Sequence, residues 1–263
     1  MNIIFLGDIV GSSGRMAVRR YLPDIRREME ADLVIANGEN AAHGFGLTTQ
    51  TAREIFDAGV DFITGGNHTW DKKEVVDTFR EFENKIIRPA NYPDDNPGKG
   101  FAMIRTANDH HVGIINLMGR VFMDPLDCPF RCFDRHYEKL REQSNILFLD
   151  FHAEATSEKI AMAYHVDGRI SAMVGTHTHV QTADERIFPK GTGYLTDAGM
   201  TGPLDSVIGM KKEMILQRFL EKRPIRIEVA DGPAILQGVC FRIDSNSGKC
   251  ESIRRIQKSD AQS

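Results

Sequence analysis

Short apolar runs alternate with helically spaced apolar positions along the first third of the chain. Residues 3–6 are uninterrupted apolar sequence running into Gly7-Asp8, which predicts a buried first strand. Met16, Val18, Tyr21, Leu22, Ile25 and Met29 recur at roughly helical spacing and predict an amphipathic helix. Residues 33–36 predict a second buried strand, ending in Asn37-Gly38-Glu39-Asn40. Thr48 or Thr49 is placed to cap a helix through Ile55 and Phe56, with Gly59 as its stop. Residues 60–64 predict a third strand before Gly65-Gly66-Asn67-His68, and Asp71 is placed to cap a helix carrying Val75, Val76 and Phe79.

Three strands that each end in a polar loop, joined by helical patterns, predict an α/β fold. Open α/β sheets place their sites at the carboxyl ends of the strands, so these loops are expected to share one edge. Further along, residues 91–100 are rich in Pro, Asp and Gly and read as loop. Residues 101–106 and 111–117 read as a hairpin. Residues 146–151 form a strand leading into His152, and residues 170–174 one leading into Gly175-Thr176-His177-Thr178-His179. Residues 225–229 and 234–243 read as late strands. A mostly parallel first half and a more antiparallel second half predict two packed sheets with helices outside. The polar tail after Lys258 is expected to fray. With no repeat, low-complexity tract or linker, residues 1–263 read as a single domain.

Composition narrows the class. The 263 residues are 41% hydrophobic and 27% charged, ordinary globular values. A net charge of −4 gives no broad electrostatic footprint for long nucleic acid or an anionic membrane. A small anionic substrate stays compatible, because a metal site supplies positive charge locally. Cys128, Cys132, Cys240 and Cys250 form no CxxC pair and read as reduced, packed thiols. The N-terminus lacks a basic region followed by an apolar one, and no apolar run is long enough to span a bilayer. The expected location is the cytoplasm; a homo-oligomer is left open.

The chemistry lies at the strand ends. Asp8, Glu39, Asn40, Asn67, His68, His152, His177 and His179 come from five separate loops. Each offers the oxygen or imidazole donors that bind divalent metals. Taken singly, Asp8 is an ordinary helix cap, Glu39-Asn40 a turn, and His152 a satisfied loop histidine. His177-Thr178-His179 is harder to treat so: residues two apart in an extended loop project to one side, and a shared metal site is a natural reason to pair two imidazoles.

Gly7-Asp8, Glu39-Asn40, Gly66-Asn67-His68, His152 and Gly175-Thr176-His177-Thr178-His179, in that order, resemble the motifs of calcineurin-like metallophosphoesterases. Fuller strings at 7–11, 37–42, 65–71, 152–159, 175–184 and 196–203 resemble one branch, the YmdB-type phosphodiesterases of bacteria. The resemblance spans nearly the whole chain. It implies the calcineurin-like fold, two mixed sheets flanked by helices in an α-β-β-α sandwich. It also implies a dinuclear enzyme acting on cyclic nucleotides, with iron as the expected metal and manganese or zinc as alternatives. Two departures from the wider superfamily are features of the branch: Val10 stands where a histidine is usual, and Glu39 where an aspartate bridges. On that basis one metal is assigned to Asp8, Glu39, Asn40 and His179, and the other to Glu39, Asn67, His152 and His177. Glu39 bridges because a carboxylate has two oxygens.

His68, beside the ligand Asn67, is the expected general acid, with Asp71 near enough in sequence to support it. The expected substrate is a 2′,3′-cyclic nucleoside monophosphate opened to the 3′-nucleotide, with 3′,5′-cyclic nucleotides secondary. A phosphomonoesterase or nuclease, and a non-catalytic metal-stabilised regulator, are the competing readings. Residues 7–14 lack the GxGxxG pattern of a dinucleotide site and read as a tight turn opening a helix, a place that could also face phosphate. Residues 199–203 read as a flexible active-site rim. The loops around His43-Gly44-Phe45-Gly46 and Met200 are the expected walls for the nucleoside.

Overall fold

Alternation along each strand decides which side chains meet the opposite sheet and which meet helices. The computed structural model describes residues 1–259. The chain begins β1 (Asn2–Leu6), β2 (Asp8–Ile9), α1 (Gly11–Glu28), β3 (Leu33–Asn37), α2 (Thr49–Asp57), β4 (Phe62–Thr64) and α3 (Val75–Glu81). It continues through β5 (Phe101–Arg105), β6 (His111–Met118), α4 (Pro129–Arg141), β7 (Ile146–His152), α5 (Thr156–Val166) and β8 (Ala172–Thr176). It ends β9 (Arg186–Ile187), β10 (Gly193–Leu195), β11 (Met200–Pro203), α6 (Lys212–Glu221), β12 (Ala234–Ile243) and β13 (Cys250–Ser259).

Two mixed sheets result. One runs β2-β11-β12-β1-β3-β4 with β13 on β12, the other β5-β6-β7-β8-β10-β9. Ile3, Phe5, Leu33, Ile35 and Phe62 of the first meet Val112, Ile114, Ile146, Phe148 and Val174 of the second. The alternate residues Ile4, Leu6, Val34 and Ala36 turn outward to pack with Val18, Leu22, Ile25 and Ile55 of α1 and α2. Leu147, Leu149 and Phe151 pack with Phe133 of α4 and Met162 of α5. This is the expected α-β-β-α layering.

The partition of parallel and antiparallel pairing differs from expectation. The second sheet has a parallel centre, β6-β7-β8-β10, although it is built from the later half of the chain. Antiparallel pairing is concentrated instead around β12, which pairs with β1, β11 and β13. Residues 225–229 form no strand and make only a bridge from Val229 to Met210. Their alternation reflects one half-buried side rather than a sheet neighbour. Asp71 does not cap α3, whose N-cap is Glu74 with no side-chain cap bond. Thr48 caps α2 in a reciprocal capping box with Thr51. The expected fray after Lys258 lies, beyond Ser259 of β13, outside the described residues. All four cysteines are unpaired and three are buried. Among the described residues no helix is long and apolar enough to cross a membrane.

Candidate metal centre

The inward-facing positions that form the apolar core turn polar at the carboxyl ends of the strands. Leu33 and Ile35 are followed on the same face by Asn37, Phe62 by Thr64, Ile146 and Phe148 by Asp150 and His152, and Val174 by Thr176. The strand period therefore delivers a buried polar floor directly above the hydrophobic core.

Asp150 anchors that floor. Its carboxylate accepts from Thr64 Oγ1 at 2.6 Å, Thr176 Oγ1 at 2.8 Å and Asn37 Nδ2 at 3.2 Å. Burial pushes it up to about 7, while His152 and the two hydroxyls pull the other way. Since Thr176 gives its one proton to Asp150, its oxygen accepts from His152 Nδ1, 2.9 Å away. That turns His152 Nε2 toward the centre, the nitrogen left to meet a metal ion there. There it lies 3.0 Å from Glu39 Oε1, 2.8 Å from Asn67 Oδ1 and 3.1 Å from His177 Nδ1.

A second group of donors gathers on the other side of Glu39. Asp8 Oδ1 lies 3.7 Å from His179 Nε2, and the Asn40 amide is 3.2 Å from that same nitrogen and 3.4 Å from Glu39 Oε1. His179 Nδ1 is held by the carbonyl of Ile208 at 2.9 Å, which turns Nε2 inward. Glu39 thus touches both groups, and its Oε2 accepts the His68 N–H at 2.8 Å. All seven residues expected as ligands are brought together. His177-Thr178-His179 is not extended, however: His177 and His179 have φ of +96° and +64°. Their rings divide between the two donor groups, His177 beside His152 and His179 beside Asn40.

The electrostatics suit cations. Burial drives Asp8 upward despite His179 and His152, and its Oδ1 has no hydrogen-bond partner although fully buried. Burial also works against the charge on Glu39, yet His152 and the His68 N–H outweigh it and hold Glu39 at about 2. Against its own burial His152 is drawn up to about 9 by Glu39 and Asp8, while burial and His152 push His177 down to about 3. A Cβ on Gly66 would stand 2.3 Å from Glu39 Oε2 and 2.5 Å from His152 Nε2, so only glycine leaves this cradle open. Two carboxylates, two amides and three imidazoles around one orphaned carboxylate oxygen fit divalent metal ions. Val10, where an imidazole is usual in the wider superfamily, is wholly buried and packs with Met200 and Ile235.

His68 reaches the centre through its backbone, and its Nδ1 lies 2.8 Å from Asp71 Oδ2. That engagement explains why Asp71 is not a helix cap. Phe45 meets the imidazole edge-on, with centroids 4.9 Å apart. A cleft of about 670 Å³ opens above, lined by Glu39, His68, His177 and His179 at its foot. Its walls differ from expectation. Phe45 lines it, but Met200 is buried beneath Val10 and His43 points to solvent. The walls come mainly from Ile208, Met210 and Ile227 and from α6, through Ile215, Arg218, Phe219 and its C-cap Lys222. Residues 200–203 are a buried strand rather than a rim. The turn at Gly11 and Gly14 packs on Val229 and Thr201 and does not open toward the cleft.

Two face-to-face mixed sheets with paired N/O donors at their carboxyl edge define a metallophosphoesterase-type fold. The chain belongs to the YmdB-like protein family, whose sequence model matches residues 4–256. It is 49% identical to the 2′,3′-cyclic-nucleotide 2′-phosphodiesterase of Bacillus subtilis, over 99% of this chain and 98% of that protein. A putative phosphatase/phosphodiesterase of Mycoplasma pneumoniae is 37% identical, over 98% of this chain and 94% of its own length. The crystal structure of a hypothetical protein from Thermus thermophilus superposes with a TM-score of 0.92 at 45% identity, covering 98% of this chain and 99% of the other. That of a phosphatase from Mycoplasma pneumoniae gives 0.91 at 36%, covering 98% and 93%.

Proposed function

We propose that this chain is a dinuclear metal-dependent phosphodiesterase that hydrolyses 2′,3′-cyclic nucleoside monophosphates to 3′-nucleotides, with 3′,5′-cyclic nucleotides as secondary substrates. The observation that carries the metal chemistry is Glu39, buried between two donor groups at the foot of a cleft. The likeness to the Bacillus subtilis enzyme supports the substrate. Asp8, Glu39, Asn40 and His179 would hold one ion, and Glu39, Asn67, His152 and His177 the other. Iron is the expected metal, and manganese or zinc suits the same donors. Bound there, the ions would supply Lewis acidity toward the phosphoryl oxygens and an activated water.

The chain's own residues do the rest. Thr176 and Asp150 keep Nε2 of His152 turned inward, and Ile208 does the same for Nε2 of His179. Hydrolysis forms a bond from the water oxygen to phosphorus and breaks the bond from phosphorus to O2′. The departing O2′ then takes a proton from His68, which Asp71 holds in orientation. The apolar cleft wall offers Phe45, Ile208 and Phe219 to a nucleobase, and Arg218 and Lys222 add positive charge for an anionic ligand. The cytoplasm is the compartment that this substrate class suits.

The test is to incubate metal-loaded protein with 2′,3′-cyclic AMP and separate 2′-AMP from 3′-AMP by chromatography. Mainly 3′-AMP is expected. Mainly 2′-AMP would reverse the bond assignment, and turnover of phosphomonoesters alone would replace the phosphodiesterase reading.

A further inference from the structure

The strings at 152–159 and 196–203 carry charged residues that give no donor to the metal centre. Two of them meet below it. Lys159, from α5, is 1% exposed and Asp197 is fully buried, with Nζ 2.8 Å from Oδ2. The same Oδ2 accepts from Thr178 Oγ1 at 2.7 Å and from the Thr178 N–H at 3.2 Å. Oδ1 of Asp197 accepts the Gly199 N–H at 2.8 Å.

Thr178 is the residue between His177 and His179. Its two neighbours both have left-handed backbones, at φ +96° and +64°. Such conformations cost free energy in L residues and persist where the surroundings over-determine them. Here the over-determination is visible. Thr178 is held at both its N–H and its hydroxyl, while the His177 N–H points to Asp8 Oδ2 at 3.3 Å and the His179 ring is tied to Ile208.

We propose that the Lys159–Asp197 pair is a positioning device: it clamps Thr178, and through that clamp sets how far apart His177 and His179 stand on the two sides of Glu39. The inference rests on the metal reading above. A buried ion pair is a weak source of stability compared with apolar packing, so its position needs another reason. Lys159 adds its own donor to an Asp197 carboxylate that already accepts from Thr178 and Gly199, so one side chain gathers all three. Gly175 leaves the space for this: a Cβ there would stand 2.9 Å from Lys159 Cδ and 1.8 Å from the Thr196 carbonyl oxygen. Without the clamp, the loop is free to relax toward extended backbone and carry the two imidazoles out of register.

The test compares Thr178→Val, Thr178→Ser and Asp197→Asn with the unaltered chain. Mn²⁺ affinity is read by calorimetry, and amide hydrogen exchange across residues 176–180 is followed in metal-free protein. Thr178→Val keeps the shape and removes the hydroxyl. It should weaken Mn²⁺ binding by about 10–100-fold, as residues that orient ligands commonly do, and speed exchange at 177–179. Its metal-free melting temperature should hold. Thr178→Ser should restore affinity and protection. Asp197→Asn should do at least as much harm as Thr178→Val, and if it fails to fold the valine and serine variants still decide. Unchanged affinity and exchange in Thr178→Val, or a serine variant as weak as the valine one, overturns the proposal. If the unaltered chain binds no Mn²⁺ or iron, the metal reading fails; the exchange comparison then still decides whether the clamp holds the loop.

Discussion

The backbone N–H of His68 donates to Oε2 of Glu39 at 2.8 Å, which fixes the proposed acid to the proposed bridging carboxylate. Glu39 therefore has three tasks at once: it faces His152, touches the Asn40 amide and holds the loop that carries His68. Glu39→Gln removes the charge and keeps the shape. The variant should retain the fold by circular dichroism, hold fewer than two ions per chain, and lose more than about 100-fold in turnover, beyond the range for residues that only orient ligands. Elemental analysis beside single-turnover kinetics checks this. Two retained ions with full turnover would rule out the bridge.

The inter-sheet core makes a separate prediction. Phe148 is fully buried, stacked on Phe5 with centroids 5.6 Å apart and edge-on to Phe241 at 5.8 Å. Phe148→Ala leaves a cavity where the two sheets meet and should cost about 3–5 kcal/mol. Urea unfolding of metal-free protein measures the loss. Metal stoichiometry below the transition should stay unchanged, since the floor residue Asp150 keeps its own three donors.

Much of this was legible in the sequence for a physical reason. Residues 3–6 and 33–36 are buried on both faces, so they read as continuous apolar runs, and the donors follow within a few residues of their ends. Helices α5 and α6 were not legible. Among the residues buried by α5 are Glu158 and Lys159, which hide its period, and α6 exposes Leu216, Phe219 and Leu220 while burying only Ile215. The cleft wall was missed with α6. Lys159 and Asp197 are 38 residues apart, and no local spacing announces such a pair. Asp71 was misread as a cap because acid-before-helix is the stronger local signal; its side chain is engaged by His68 instead.

Arg218 in the last turn of α6 and its C-cap Lys222 border the cleft above the donor groups. Arg218→Ala should raise KM for 2′,3′-cyclic AMP by up to about fivefold, the scale of an exposed charge pair, with kcat little changed. The difference should shrink at high salt as the pair is screened. Steady-state kinetics at two ionic strengths provides the check. A fall in kcat at constant KM would instead put Arg218 near the reacting bond.

His68 carries the sharpest prediction, because a proton donor has a signature that a structural histidine lacks. Its ring is fixed on one side by Asp71 and on another by Phe45, while its backbone is held by Glu39. His68→Ala deletes the ring but keeps the N–H bonded to Glu39, so metal content should stay near that of the unaltered chain. A ribose alkoxide is a poor leaving group and needs a proton as the bond to phosphorus breaks. p-Nitrophenolate leaves without one. The variant should therefore lose about 10²–10⁴-fold on 2′,3′-cyclic AMP and much less on bis(p-nitrophenyl) phosphate. Asp71→Asn, which keeps the ring but weakens its support, should fall between the two. Equal losses on both substrates, or loss of metal from His68→Ala, would make His68 a structural residue and leave the proton to another donor.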